Sequence, residues 1–514
     1  MSARVTAMPG RQKRVDRRQV GLVDIGSNSV RFVVYDGIVR APMPKFNEKV
    51  MCGLGRGLKV DGNLGDGEMR QALAALERYF ALARAMGLET LDVFATEAVR
   101  AAANGPAFVA EIEARFATRV AVLTGDDEGR FAALGVASHF PDADGVVGDL
   151  GGASLELAEI GAGEVGRATS FPFGPFRVMG EAGSRKAQGI AIEERLAAEF
   201  ASGRAERTFY AVGGAWRAFA KLAMARLDHR FHIVDGYALD GATALQLAAL
   251  ASRRSQLAAA DLAHVSKRRQ ETLPAAALVL AATLRALRPA RVVFSASGVR
   301  EGRLFAHLDA ATRARDPLLE MAERYGSVEA RFGGVGRELV RWTAALFPDE
   351  TRRARRLRIA ACHLSDVAWS THPDYRAGYA LDRVLHLPLP GLDHAARAWL
   401  GLAVHARYRG GLDAPQAQEA RALAGLEGEA ALGLGHALQL AYRLSGATAH
   451  LLAASRVERD ADCVRLILPD DGSLPLGDAV ERRLATLAKA LPVERFEISH
   501  APRDGGQRRR AGAS

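Results

Sequence analysis

The stretch Val146–Ile160, VVGDLGGASLELAEI, decides how the rest of the chain is read. Two apolar, strand-like runs are interrupted by a carboxylate, Asp149, and then by Gly151-Gly152, with Ser154 and Glu156 on the far side. Such runs joined through glycine read as two strands and a turn. Glycine lets the backbone approach a ligand closely, and successive turn amides can converge on one anion. A carboxylate in that turn would repel phosphate. It becomes useful when Mg²⁺ or an ordered water stands between them, because hard oxygen ligands hold Mg²⁺ and the ion neutralises phosphate charge.

The same pattern occurs earlier, in LVDIGSNSVRFVVY from Leu22 to Tyr35, where Asp24 takes the place of Asp149 and Ser27, Asn28 and Ser29 offer side-chain donors. A hairpin with Asp and Gly in ordinary turn roles is the alternative reading of either stretch alone. Two matching turns favour an internal duplication: two similar α/β domains facing each other across a ligand cleft. A third pair, Gly213-Gly214 in FYAVGGAWRAFAKL, stands where a strand passes into a helix, a position that favours anions and that also uses glycine for purely steric reasons.

Working outward, Gln19 to about Leu123 reads strand, turn, strand, helix, strand, helix, strand, and the scheme restarts near DADGVVGDLGG. The expected organisation is a basic tail (1–18), a first α/β domain (19–140), a second (141–308), a mainly helical domain (309–454), and a β-like C-terminal segment with a second basic tail (455–514). A chain of 514 residues is long enough for several such units. With 49% hydrophobic and 25% charged residues it reads as folded rather than fibrous or disordered. The net charge of +10 favours polyanionic partners, although much of it sits in the Arg-rich ends. Those tails have no aromatic stacking platforms or reading module, so no specific nucleic-acid role is expected. Three cysteines without a CxxC pair argue against disulfides or structural zinc and fit a reducing cytoplasm. No apolar run reaches the roughly 18 residues of a membrane span.

The segment VLTGDDEGRFAALGV ends a strand at Thr124-Gly125 and opens a helix with Asp126, Asp127 and Glu128. Capping and the helix dipole account for one or two of these acids. If Glu128 points into the cleft, it can orient and deprotonate a water for attack on phosphorus. Arg100, after a strand in ATEAVRAAANG, and Arg300 and Arg303, opening a helix in SGVREGRLF, are candidate phosphate partners. A solvated or salt-bridged surface role is the alternative for each.

Six motifs, VDIGSNSVRFVVYDG, FATEAVRAAANG, TGDDEGRFAALG, GDLGGASLEL, AVGGAWRA and SASGVREG, resemble in order and spacing the exopolyphosphatase/guanosine pentaphosphate phosphatase family of the actin-like superfamily. The resemblance implies two actin-like, ribonuclease H-like α/β domains followed by a helical domain similar to the HD-type phosphohydrolases. It implies Mg²⁺-assisted release of terminal phosphate from inorganic polyphosphate, with Mn²⁺ as a substitute and a monovalent cation as a further cofactor. By that resemblance Glu128 is the catalytic base, and Asp24, Asp149 and Glu156 gather the metal and water. Ser27, Asn28, Gly151, Gly152 and Ser154 resemble the family's two phosphate turns and Arg100 its phosphate-facing arginine, with Gly213, Gly214 and Arg300 expected from the chain itself as further phosphate contacts. Guanosine pentaphosphate is the alternative substrate, with guanosine tetraphosphate a related ligand; phosphate transfer to ADP is a third activity, and a polyphosphate-binding sensor without turnover the reading from another class. Longer members suggest a homodimer.

The chain departs from the family pattern at Ala153, where a glycine is usual, and at Leu155 and Ala215, where the family has threonine hydroxyls. In the helical region ACHLSDVAW places Ser365 before Asp366 where HD-type proteins carry adjacent metal ligands, so a second metal centre is not expected there.

Overall fold

The computed structural model describes residues 18–59, 62–180, 182–200, 207–409, 412, 414–474 and 476–501. Both basic tails lie outside these residues except Arg18, which pairs with Glu89 at the surface. The chain divides into two compact units, 1–315 and 316–514.

The first unit contains two sheets of like topology. Strands β1 (Val20–Ile25), β2 (Val30–Tyr35), β3 (Pro44–Val50), β4 (Thr90–Ala95) and β5 (Val120–Val122) lie in the order β3-β2-β1-β4-β5. In the second sheet, β6 (Gly145–Leu150), β7 (Leu155–Gly161), β8 (Glu164–Phe171), β9 (Thr208–Val212), β10 (Ala238–Asp240) and β11 (Arg291–Phe294) run β10-β11-β9-β6-β7-β8. In each sheet a three-strand antiparallel meander continues, through its first strand, into parallel strands. This repeated arrangement is the expected pair of similar α/β domains.

The duplication extends to single residues. Both β1 and β6 are buried except at their aspartates, as expected of a central strand covered on both faces. Asp24 lies opposite Arg31 on β2, and Asp149 opposite Glu156 on β7.

The helices of this unit are α1 (Asp66–Ala85), α2 (Glu97–Ala101), α3 (Gly105–Phe116), α4 (Gly125–His139), α5 (Pro175–Gly180), α6 (Arg185–Glu199), α7 (Gly214–Arg226), α8 (Gly241–Ala251), α9 (Lys267–Leu287) and α10 (Val299–Ala306). Leu73, Leu76 and Tyr79 of α1 cover one face of the first sheet. Trp216 and Phe219 of α7, with Leu278 and Leu280 of α9, cover one face of the second. Between the sheets run α4 and α10: Val136 and Phe305 share a core with β6, β7 and β9, while Leu304 packs among Leu22 and Phe94 of the first sheet and Leu123 just after β5. The two helices cross so closely that a Cβ on Gly302 would fall 1.8 Å from the Phe131 carbonyl oxygen. Only glycine permits that crossing, which sets how far apart the sheets stand.

The second unit is mainly helical, with long helices at Pro317–Glu329, Arg352–Leu364, His394–Arg409 and Gly428–Ser445. It closes on a three-strand sheet of β12 (Arg456–Arg459), β13 (Cys463–Pro469) and β14 (Arg495–Ala501), in which β13 and β14 run parallel across the helix Asp478–Ala490. No helix among the described residues is long and apolar enough to cross a membrane.

Candidate active site

Each central strand ends in a four-residue turn closed by one backbone hydrogen bond. The Gly26 N–H donates to the Ser29 carbonyl, and the Gly151 N–H donates to that of Ser154, both at 3.0 Å. The turns face one another: a Cβ on Gly152 would lie 3.5 Å from the Ser27 Cβ. Gly213 completes the floor with φ +99°, and a Cβ there would meet the Leu150 carbonyl oxygen at 2.5 Å. A side chain at that point would be strained and would clash with backbone.

These turns line a cleft of about 210 Å³. Of the residues expected from sequence, Asp24, Ser27, Asn28, Glu128, Asp149, Gly151, Gly152, Ser154, Gly213, Gly214 and Arg300 line it together. Arg100 and Glu156 do not; Arg100 pairs with Glu128, and Glu156 is a second buried acid that repels it. Arg100 donates to Glu128 Oε1 at 2.6 Å and also to the Leu123 carbonyl. Glu156 is buried, accepts from the Ser170 hydroxyl at 2.9 Å, and repels Glu128.

The three acids at the start of α4 divide their work. Asp127 forms a reciprocal capping box with Thr124, Asp126 is exposed, and Glu128 turns inward. Burial, against the pull of Arg100, pushes the Glu128 carboxyl up to about 8. Burial likewise raises Glu156 well above the ordinary carboxylate range, with Glu128 and Asp149 adding to the rise. Asp149 is pushed up to about 6 by burial, opposed by Arg217 and reinforced by Asp24. Asp24 is raised by burial, with Arg300 3.6 Å away opposing.

Sequence reasoning missed most of the positive wall. Arg31 of β2, Lys49 of β3, Arg217 of α7 and Arg269 of α9 join Arg300 around the cleft. Burial and mutual repulsion lower Lys49 to about 8, and the same causes lower Arg31 and Arg217. Arg300 Nε is buried without a hydrogen-bond partner. Arg268 reaches the Asn28 side chain at 2.8 Å. The missed acid is Glu97 on α2, which faces the cleft with one carboxylate oxygen unpartnered. One signal was available: Arg217 sits one turn into the helix after Gly213-Gly214, as Arg100 sits one turn into α2. Arg303, by contrast, is structural, pairing both ways with Asp92 and lying over Phe94.

Five cations thus line the cleft against four carboxylates, two of which are held partly protonated near neutral pH. The balance favours an anion. No three His, Cys, Asp or Glu residues among those described are grouped to cage a metal. Asp24 and Asp149 remain as two hard carboxylates facing the cleft, a donor set that suits Mg²⁺, which keeps several waters and takes its other oxygens from phosphate. Glu156, engaged with Ser170, is not part of that set.

The departures at Ala153, Leu155 and Ala215 have structural explanations. Ala153 does not adopt positive φ, so the lost glycine is tolerated. Leu155 and Ala215 are buried in the core of the second sheet and do not line the cleft.

A family model described as the Ppx/GppA phosphatase family matches residues 38–311. The chain belongs to that family. A second model, exopolyphosphatase C-terminal, matches residues 318–497. Among relatives, Retrograde regulation protein 2 of Saccharomyces cerevisiae is 26% identical over 451 residues, covering 79% of this chain and 75% of that protein. Exopolyphosphatase 1 of Mycobacterium tuberculosis is 26% identical over 328 residues, covering 61% of this chain and 94% of that one. The crystal structure of the Aquifex aeolicus Ppx/GppA family member is 23% identical, with a TM-score of 0.49, over 58% of this chain and 99% of that chain. Membership makes the chain a phosphatase.

Proposed function

We propose that the chain is an exopolyphosphatase, releasing orthophosphate from the end of inorganic polyphosphate by direct attack of water. The observation that carries the reading is the pairing of a cation-lined cleft with one carboxylate, Glu128, whose proton affinity is raised into the working range of a general base. In this mechanism the glycine-turn amides, Arg217 and Arg300 grip the terminal phosphate, with Arg31 and Lys49 drawing in the rest of the chain. Arg100 orients the Glu128 carboxylate. Glu128 takes a proton from water as its oxygen closes on phosphorus. Asp24 and Asp149 would hold Mg²⁺, which supplies positive charge to the phosphate oxygens as the bridging bond breaks.

The exopolyphosphatase names among the relatives and the net charge of +10 favour a long polyanion. A guanosine pentaphosphate substrate has one observation in its favour: Phe176, 38% exposed, lies at the rim beside Gly152 and could stack on a base. Competition distinguishes the two. Long polyphosphate should suppress pentaphosphate hydrolysis at equal phosphate concentration; pentaphosphate hydrolysis unaffected by polyphosphate would reverse the assignment.

A further inference from the structure

In the second unit three arginines gather around one carboxylate. Asp366, after the helix Arg352–Leu364, accepts two hydrogen bonds from the Arg331 guanidinium at 2.9 Å and one from Arg407 at 3.3 Å. Arg331 lies over one indole face of Trp369 at 3.4 Å from the ring centroid; Arg376 also lies over that indole, at 3.9 Å. Arg407 lies 3.8 Å from the Tyr442 ring centroid and 4.2 Å from that of Tyr408. Five chain segments therefore converge on a stack of three guanidiniums and three aromatic rings. Among the described residues Asp366 is the only carboxylate within ion-pair distance of those arginines.

Two features mark the cluster as more than a structural stack. Arg407 is only 6% exposed, yet its Nε has no hydrogen-bond partner. Arg376 spends its Nε on the Thr371 carbonyl and has no carboxylate partner. Arg331 and Arg407 share the single charge of Asp366 and Arg376 has no carboxylate of its own, so the cluster carries excess positive charge, and an oxyanion offers the paired acceptors that a guanidinium edge fits. The cluster is open on one side. Trp369 and Arg376 are half-buried, and the neighbouring Phe332 and Tyr375 are 75% and 70% exposed. Phe332 holds a left-handed backbone (φ 48°) ahead of Gly333 and Gly334, both also at positive φ. Such strain at a bulky exposed residue accompanies functional surfaces more often than inert ones.

We propose that Arg331, Arg376 and Arg407 form a binding site for a phosphate-type oxyanion, separate from the cleft of the first unit. The ligand chemistry is a phosphate group, drawn either from free inorganic phosphates or from a nucleotide whose base Phe332 or Tyr375 would stack. Nothing in this inference depends on which substrate the cleft hydrolyses.

The test uses the full chain with Arg217→Ala and Arg269→Ala, which weaken the cleft. Pyrophosphate and ATP are titrated separately by calorimetry in low salt without divalent cations. One saturable site should persist, and Arg376→Gln should weaken it at least tenfold in a protein that still unfolds cooperatively without ligand. Arg376→Lys, which keeps the charge and loses the fork, should fall between. Equal affinity for the two probes identifies free phosphates as the source, and a tenfold preference for ATP identifies a nucleotide; both support the site. Loss of all saturable binding in the cleft-weakened protein, or binding indifferent to Arg376→Gln and Arg376→Lys, overturns it.

Discussion

Replacing Glu128 with Gln should make the protein more stable as it makes it inactive. The ordinary glutamate value is 4.5, and burial lifts Glu128 to about 8. Between those limits the native state binds a proton that the unfolded state releases. Stability therefore falls as pH rises through that window, at about 1.4 kcal/mol per unit. Across the full window the loss approaches about 5 kcal/mol, an upper bound because Glu156 titrates with it. Glutamine resembles the protonated acid, still accepts from Arg100, and does not ionise. Below about pH 4.5 the two proteins should melt together. By pH 8.5 the variant should melt several degrees higher, at about 2 °C per kcal/mol for a unit of this size. Thermal unfolding from pH 4.5 to 9 without phosphate or divalent cations reads this directly. A variant equally or less stable at pH 8.5, or a difference independent of pH, would refute the assignment of Glu128 as a buried carboxylate held against ionisation.

Three further outcomes follow from the same geometry. Because Glu128 must lose its proton to act as a base, kcat/KM should climb with pH towards a plateau above about 8; a flat profile between pH 6 and 9 would contradict that role. Arg217→Ala removes one charge-assisted phosphate contact worth about 1.5–3 kcal/mol, so KM should rise about 10- to 100-fold and become less sensitive to salt; an unchanged KM would remove Arg217 from the site. Leu155→Thr restores the family hydroxyl but places it in the core, so it should cost about 2–4 kcal/mol in stability without raising the rate, and a faster enzyme would show that position 155 reaches substrate.

Some of this site was legible in the sequence because its residues break a local pattern. Asp24 and Asp149 interrupt strands that are otherwise apolar, and Glu128 is one acid more than a helix start requires. The positive wall left no such mark. Arg31 and Lys49 face each other across neighbouring strands, Arg217 and Arg269 come from helices much further along the chain, and each alone resembles a solvated face. Only the fold brings them together. The family resemblance makes Glu156 a metal ligand; its hydrogen bond to Ser170 and its burial keep it out of the cleft lining. The strands β3 and β8 escaped for a related reason. They lie at sheet edges, largely exposed, without the apolar alternation that reveals a covered strand. Ala153, Leu155 and Ala215 looked like damage to a phosphate site. The backbone angles at Ala153 and the burial of the other two show substitutions that the surroundings absorb.

Under the proposed function this cleft hydrolyses the terminal anhydride of polyphosphate with Glu128 as base. Its most direct test is orthophosphate release from long-chain polyphosphate, with Mg²⁺ and again with excess EDTA, comparing the wild type with Glu128→Gln while polyphosphate binding is measured in both. The wild type should release phosphate only with Mg²⁺, the variant should be about 10²- to 10⁴-fold slower, and both should retain binding. A wild-type protein that binds polyphosphate and releases no phosphate, or a Glu128→Gln variant that keeps full activity, would contradict it.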